Sequence, residues 1–486
     1  MHYPRLAQFS QVKTTSFVQS NANKLFNKFR IHRILHDSGI VKGKGYSLIE
    51  MLFLLLLLIL ESPNSVYAGI SKLGKEKLKT PLNNMLNHEH YNWRRLLYAV
   101  ARRFAELCPV QSDKIPVLII DDTTREKTGR KGENLSWFYD HCKRKSFMGF
   151  QVIMAVWSNG RTAIPLDFEL KIGKKKVKQA SKTHYHKGTH TEQRERMAKQ
   201  KKVTITTQFI KRAIQRRFKF RYLLWDSWFN CSESFRLVFT ELQQKGIDLV
   251  AMLKRDGQMY LYQEQFLTIK ELYSKAGKWT KHQGTEIKYK SLLVTILDKT
   301  TGTVAKKQKA LGQAKLCFYK YPTAKEFKVI VSTNTELSEW EVLSIYLRRW
   351  AVEVVFKDLK QHFGYDQSKS SKYAPQIVDL SIRCMFYIMF CYLQEGQPEK
   401  SKSQLMLSFY NEMQETWLDM FGNLFLYERG KDFLKFSLGL GYTNITDLIK
   451  FYDSIFHKFM VESLEHDKIE EIDNRDFSMF PYSDAG

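Results

Sequence analysis

The sequence predicts a mixed α/β protein in which helical regions flank a sheet-forming middle. Two observations carry this. Short apolar runs that stop abruptly at acids, Ile115–Ile120 before Asp121 and Phe220–Trp225 before Asp226, have the length and composition of buried strands. Residues 1–108 and those beyond Pro375 show helical apolar spacing instead, punctuated by Gly and Pro.

In chain order, Lys24–Leu35, Ser47–Leu60 and Trp93–Leu107 are expected helices. The run Met51–Leu60 lies between Glu50 and Glu61. At about half the length needed to cross a bilayer, it reads as a buried helix. Tyr91–Tyr98 mixes aromatics with bases, which suits either a DNA-contacting helix or an ordinary amphipathic one. Phe150–Trp157 and Thr162–Leu170 are expected strands joined by a turn at Ser158-Asn159-Gly160. The basic stretch Lys171–Lys202 has too little apolar content for a core, and reads as a DNA-tracking loop or a solvated linker. Val203–Arg217 and Ser232–Gln244 have helical spacing, the second stopped by Gly246. Strand-like segments then recur through 248–335, and a long helix is expected over Ser338–His362. The resulting divisions are 1–108 (helical, DNA-binding), 109–247 (core, first part), 248–335 (β-rich insertion), 336–372 (core, last part) and 373–486 (helical).

Composition narrows the partners. With 77 Lys and Arg against 50 Asp and Glu, the formal charge is +27, which favours a polyanion such as DNA or RNA. An apolar fraction of 43% is enough for a folded chain. The six cysteines are scattered without a CxxC, which suits a reducing cytoplasm and offers no zinc site. His184, His186 and His190 have no Cys or acidic partners at ligand spacing. No targeting or membrane-spanning segment is evident, so a cytoplasmic, nucleoid-associated protein without membrane contact is expected.

The candidate chemistry is acidic. Carboxylates at strand ends suit Mg²⁺, because a rigid sheet fixes their oxygens; Asp121, Asp122 and Asp226 stand there, although Asp is also a common turn residue. In the late helix, at about 100° per residue, Tyr346, Glu353 and Lys360 fall within roughly 60° of Arg349. Leu347, Val352, Val354, Val355 and Leu359 lie away from that stripe and are expected to reach the core, with Asp358 the exception among them. The stripe could be a solvated face with an Arg349–Glu353 pair, but an acid between bases suits phosphoryl transfer.

Tyr346-x2-Arg349-x3-Glu353-x6-Lys360 resembles the signature of the DDE transposases of the insertion-sequence-four family. Asp121-Asp122-Thr123-Thr124 resembles that family's first acidic motif, and Asp226, trailed by Phe229, its second. The strand order is compatible with the ribonuclease-H-like core that the resemblance implies, carrying a β-rich insertion before the last acid. It implies catalysis and metal binding by Asp122, Asp226 and Glu353, using Mg²⁺ with Mn²⁺ able to substitute. Asp121 is the rival for the first place: side chains alternate along a strand, so one of the two faces the site, and the family pattern favours Asp122. Tyr346, Arg349, Lys360 and Lys357 are the implied DNA contacts. Phe327 is a candidate base-stacking residue, with Trp279 and Trp340 as rivals. The implied activity is cut-and-paste transposition on double-stranded DNA by a homodimer seated on the C-terminal helices. Alternatives are an inactive or domesticated DNA-binding protein on the same core, and a nuclease that cuts without joining.

Overall fold

The computed structural model describes residues 21–412 apart from 43–45, 62–78, 141–142, 256 and 323. Helices α1 (Asn21–Lys28), α2 (Ile31–Asp37), α3 (Leu48–Glu61), α4 (Lys79–Leu86) and α5 (Trp93–Leu107) come first. The leucine-rich run does make α3, and Met51–Ile59 are all buried. In α5 the Asn92 side chain accepts the Arg95 amide at 2.9 Å, fixing the helix start. Leu96, Leu97, Val100, Ala101 and Phe104 then form one buried stripe.

The sheet begins with β1 (Val117–Glu126), β2 (Ser136–Asp140), β3 (Lys145–Ser158) and β4 (Ala163–Lys171). After α6 (His190–Ala198) and α7 (Lys202–Gln215) come β5 (Tyr222–Trp225), α8 (Ser232–Leu237) and β6 (Asp248–Met252). β3 runs antiparallel to β1, and β4 antiparallel to β3; β5 and β6 are parallel to β1. β2 pairs with the early part of β3, on the edge that β4 continues.

The next block is β-rich, as expected: β7 (Met259–Tyr262), β8 (Gln265–Thr268), α9 (Ile269–Lys275), β9 (Thr280–Lys281), β10 (Lys288–Asp298), β11 (Lys309–Lys320) and β12 (Lys328–Ser332). It does not fold apart from the sheet. β12 pairs antiparallel with β6, so β11, β10, β7 and β8 extend a single mixed sheet of 12 strands. β6, read from sequence as the first strand of the insertion, is the parallel neighbour of β5.

The long late helix is two helices, α10 (Glu339–Leu347) and α11 (Trp350–Gln361), with a turn at Arg348-Arg349. Ser338 and Glu341 form a capping box that starts α10. The turn and the packing correct the expected stripe. Val352, Val355 and Leu359 are buried, but Leu347 and Val354 are exposed. Asp358 is buried instead, where Lys402 pairs with it and Tyr387 donates to it. α12 (Tyr373–Gly396) has the length and apolarity to cross a membrane, but is 83% buried in its most apolar stretch. It packs on α5, β4 and α4. The expected dimerisation region lies beyond residue 412 for most of its length, outside the described residues.

One internal feature had no counterpart in the sequence reading. Asp167 and Glu169 project from one face of β4 and are buried. Arg212 of α7 reaches Asp167 at 2.7 Å, Arg194 of α6 reaches Glu169 at 3.3 Å, and Arg94 of α5 bonds both acids. Burial opposes the Asp167 charge, but Arg212, Arg94 and Arg194 outweigh it and hold the carboxyl below its ordinary range. The aromatic–basic segment Tyr91–Tyr98 therefore spends Arg94 internally, with Tyr91, Trp93 and Tyr98 buried. Arg95, the other base of the segment, is exposed.

Candidate active site

The acids are brought together by strand register. β1 and β5 pair over Val117–Ile120 and Tyr222–Trp225, ending at Ile120 opposite Trp225. One step further along both strands stand Asp121 and Asp226. Residues opposite one another in a parallel pair share a face, so these two carboxylates point the same way. The sequence carries the signal: Val-Leu-Ile-Ile-Asp and Tyr-Leu-Leu-Trp-Asp superimpose acid on acid.

Asp122, the acid that the motif favoured, points to the opposite face. Its row across the sheet continues through Ile153 to Glu169. Gln151 of β3 donates to one Asp122 oxygen at 2.9 Å, and Lys202, the first residue of α7, donates to the other at 2.6 Å. Both oxygens are thus engaged by the protein. Lys202 closes the basic stretch Lys171–Lys202, so that end of it serves neither as free linker nor as open loop.

On the Asp121 face, the α10–α11 turn delivers Arg349. Its Nη1 donates to Asp121 at 2.6 Å and its Nη2 donates to Glu353, one helical turn on, at 2.6 Å. One guanidinium therefore bridges an acid of the strand to an acid of the helix. The Arg349 Nε is buried with no partner. Two turns beyond Glu353, Lys360 donates to Thr123 Oγ1 at 2.9 Å, so α11 runs along β1 and lays its polar stripe over the acids. Tyr346 is buried at the end of α10, with the Arg349 guanidinium 5.9 Å from its ring. Lys357 is exposed on α11.

Electrostatics mark this face. Burial pushes the Asp121 carboxyl up to about 7; Arg349 and the Asp122 amide pull it down, while Asp122 and Asp226 add to the rise. Burial likewise pushes the Tyr346 hydroxyl up to about 12, against Arg349 and with Asp226. For Arg349 burial disfavours the charge, yet Asp121, Tyr346 and Glu353 win and raise its pKa. Among the described residues, no three His, Cys, Asp or Glu side chains are gathered closely enough to hold a metal ion. The guanidinium of Arg349 stands between Asp121 and Glu353.

The stacking candidates lie elsewhere. Phe327, just before β12, is half-buried, its ring 4.1 Å from Tyr273 and nearly parallel to it. Trp279 packs on Tyr273 and Trp340 on His282. Trp228, in the short turn after Asp226, is exposed, with Lys254 Nζ 3.1 Å above its ring.

The model of a protein family described as DDE superfamily endonuclease matches residues 51–311, more than half of the chain. The matched segment contains Asp121, Asp122 and Asp226 and stops before α10 and α11. No curated protein matches the chain.

Proposed function

The chain belongs to the DDE superfamily endonuclease family, and from that premise we propose that it is a cut-and-paste DNA transposase using Asp121, Asp226 and Glu353. The family implies nuclease or transposase chemistry on DNA. The observation that carries the residue assignment is the β1–β5 register, which aligns Asp121 with Asp226 while Arg349 ties Asp121 to Glu353. Asp122, committed to Lys202 and Gln151 on the other face, is then a positioning residue for β1 and α7.

Carboxylate oxygens are the donor chemistry that a hard divalent cation takes, Mg²⁺ or Mn²⁺ in its place, although Arg349 here spans Asp121 and Glu353 and the acids are not gathered as a ligand cluster. Three carboxylates offer hard oxygen donors, two of them bridged by one arginine, and burial pushes the Asp121 carboxyl up to about 7 against the pull of Arg349. A bound divalent ion would polarise the scissile phosphate and make a water or a 3′-hydroxyl a competent nucleophile. Asp121, Asp226 and Glu353 would hold it. Arg349 and Lys360 would bind DNA phosphates, and Arg349 can pass from its carboxylates to a phosphate without leaving its charge unpaired. The buried Tyr346 hydroxyl, kept protonated, would donate to a phosphate oxygen. Of the stacking candidates, Phe327, Trp279 and Trp340 each already stack or pack on a neighbouring ring.

The order β4-β3-β1-β5-β6, three antiparallel strands followed by two parallel ones, supports a ribonuclease-H-like core. Assembly as a homodimer on paired DNA ends, and residence at the nucleoid, follow from the same reading. The test is a cleavage and strand-transfer assay on duplexes carrying candidate element ends. The native protein is expected to yield cut and joined products with Mg²⁺, and Glu353→Gln neither. Cutting without joining would reduce the reading to a nuclease, and a fully active Glu353→Gln would overturn the assignment.

A further inference from the structure

A second charged feature lies at the other end of the same strands. Arg30 from the α1–α2 turn, Arg33 from α2, Arg102 and Arg103 from α5, and Arg216 and Arg217 from the end of α7 line one cleft of ≈ 460 Å³. Among the described residues, two acids, Asp37 and Glu106, line it with them. Asp37 is 3.7 Å from Arg33, and Glu106 is 3.1 Å from Arg103 and 3.8 Å from Arg102. Arg30, Arg216 and Arg217 have no carboxylate among these ion pairs, so the cleft keeps a strong positive excess.

The cleft belongs to the N-terminal ends of β1 and β5, away from Asp121 and Asp226 at their C-terminal ends. Arg216 and Arg217 precede β5, and the adjoining Lys219 carbonyl accepts from Trp157, whose strand partner is Leu118 near the start of β1. It is therefore not an extension of the acid site.

Its arginines are pre-organised. Arg102 donates to the Arg216 carbonyl at 2.6 Å, and Arg103 donates to the Lys28 carbonyl at 2.9 Å. The Arg216 guanidinium lies 4.9 Å from the Tyr98 ring centroid. The backbone is the second observation. Arg30 has φ 56° and Arg217 φ 58°, both left-handed, each just past the end of a helix. Arg217 closes α7 with amide bonds from Arg217 to Ile214 and from Phe218 to Ala213, a helix stop at which glycine is preferred. An L side chain there is strained. Both positions thus hold an arginine where glycine would sit with less strain.

We propose that this cleft is a second docking site for the phosphate backbone of double-stranded DNA, separate from the acid site. The proposal rests on the DNA-processing reading above and deepens it. Guanidinium forks held by backbone carbonyls and an aromatic face suit phosphate oxygens. Contacts to phosphate oxygens position the duplex and carry no sequence information. A site at each end of the strands gives one subunit two DNA contacts, as required of a protein that must hold two DNA segments at once.

The test uses the full chain and a short duplex of arbitrary sequence, with affinity measured across a range of salt. Arg30→Gly with Arg217→Gly removes both charges and also relieves both backbones. The expected result is binding roughly tenfold or more weaker, a salt dependence shallower by about two released counterions, and a melting temperature unchanged or raised. Arg30→Lys with Arg217→Lys should keep the native salt slope. A glycine double variant that binds with native affinity and slope overturns the cleft while leaving the acid site untouched. A native protein with no salt-dependent binding to duplex DNA takes down both the cleft and the DNA-processing reading. A large drop in melting temperature in the glycine variant would show that the arginines are structural, and would also overturn it.

Discussion

Two acidic clusters occupy opposite faces of the same sheet, and they differ in arithmetic. On one face the buried Asp167 and Glu169 are met by the buried Arg194 and by the half-buried Arg94 and Arg212. On the other, Asp121 and Glu353 share Arg349, and Asp226 stands beside them, its carboxylate accepting the Ser227 amide. The first cluster is closed: its carboxyl Asp167 is held below the ordinary range. The second is open: burial pushes its carboxyl Asp121 up to about 7, against the pull of Arg349. Acids whose charge is already balanced serve architecture, pinning α5, α6 and α7 to β4. Acids left short of positive charge are the ones that an incoming cation stabilises. Motif order alone ranks Asp122 above Asp121, whereas the proposal of Asp121 rests on its register beside Asp226 and its bond to Arg349.

The comparison can be broken at its centre by exchanging the two adjacent acids. Asp121→Asn should lower metal-dependent DNA cleavage roughly a thousandfold, the several kcal/mol expected of a metal ligand. Asp122→Asn should stay within about tenfold of native, since a positioning residue acts only through its neighbours. Equal losses in single-turnover assays would mean that the two faces are not distinct.

The closed cluster gives the next largest effect, on stability. Asp167→Asn leaves buried guanidinium groups without their carboxylate, and about 3–5 kcal/mol should be lost in urea unfolding. Cleavage per folded molecule should be unchanged. A stable Asp167→Asn protein would remove the architectural role.

A pH series sharpens the contrast. The Asp121 carboxyl, raised from 3.8 to about 7 on folding, binds its proton more tightly folded than unfolded. Stability is therefore lost as pH rises between those values, by on the order of a few kcal/mol. Asp121→Asn, which cannot ionise, should gain on the native chain across the same window and hold that gain above pH about 7. Parallel stability curves for the two proteins would contradict the open-cluster description. Smallest of all, Lys360→Ala should weaken duplex binding a few fold and lower the salt slope by about one. An unchanged slope would make Lys360 a strut for Thr123 and nothing more.

Much of the acid site could be read in the sequence because its signals are local. Two apolar runs ending in acids announce buried strands with exposed ends, and the seven-residue spacing of Glu353 and Lys360 puts them on one helix face whatever that helix packs against. The charge of +27 is likewise independent of fold. The roles of Arg94 and Leu347 were not legible, since an arginine in an amphipathic helix looks the same whether water or a buried carboxylate awaits it. The break at Arg348-Arg349 escaped notice too, because neither residue is a Gly or Pro and helical spacing continues across it.

What the sequence by itself determined, then, is that acids stand at two strand ends and on one helix stripe, with basic residues beside them. Tertiary structure alone decided which of Asp121 and Asp122 joins the other acids. Alternation along a strand offers two opposite directions and gives no reason to choose between them. The choice is made by the register of β1 against β5 and by the face on which the α10–α11 turn sets down Arg349, and both depend on residues more than a hundred positions away.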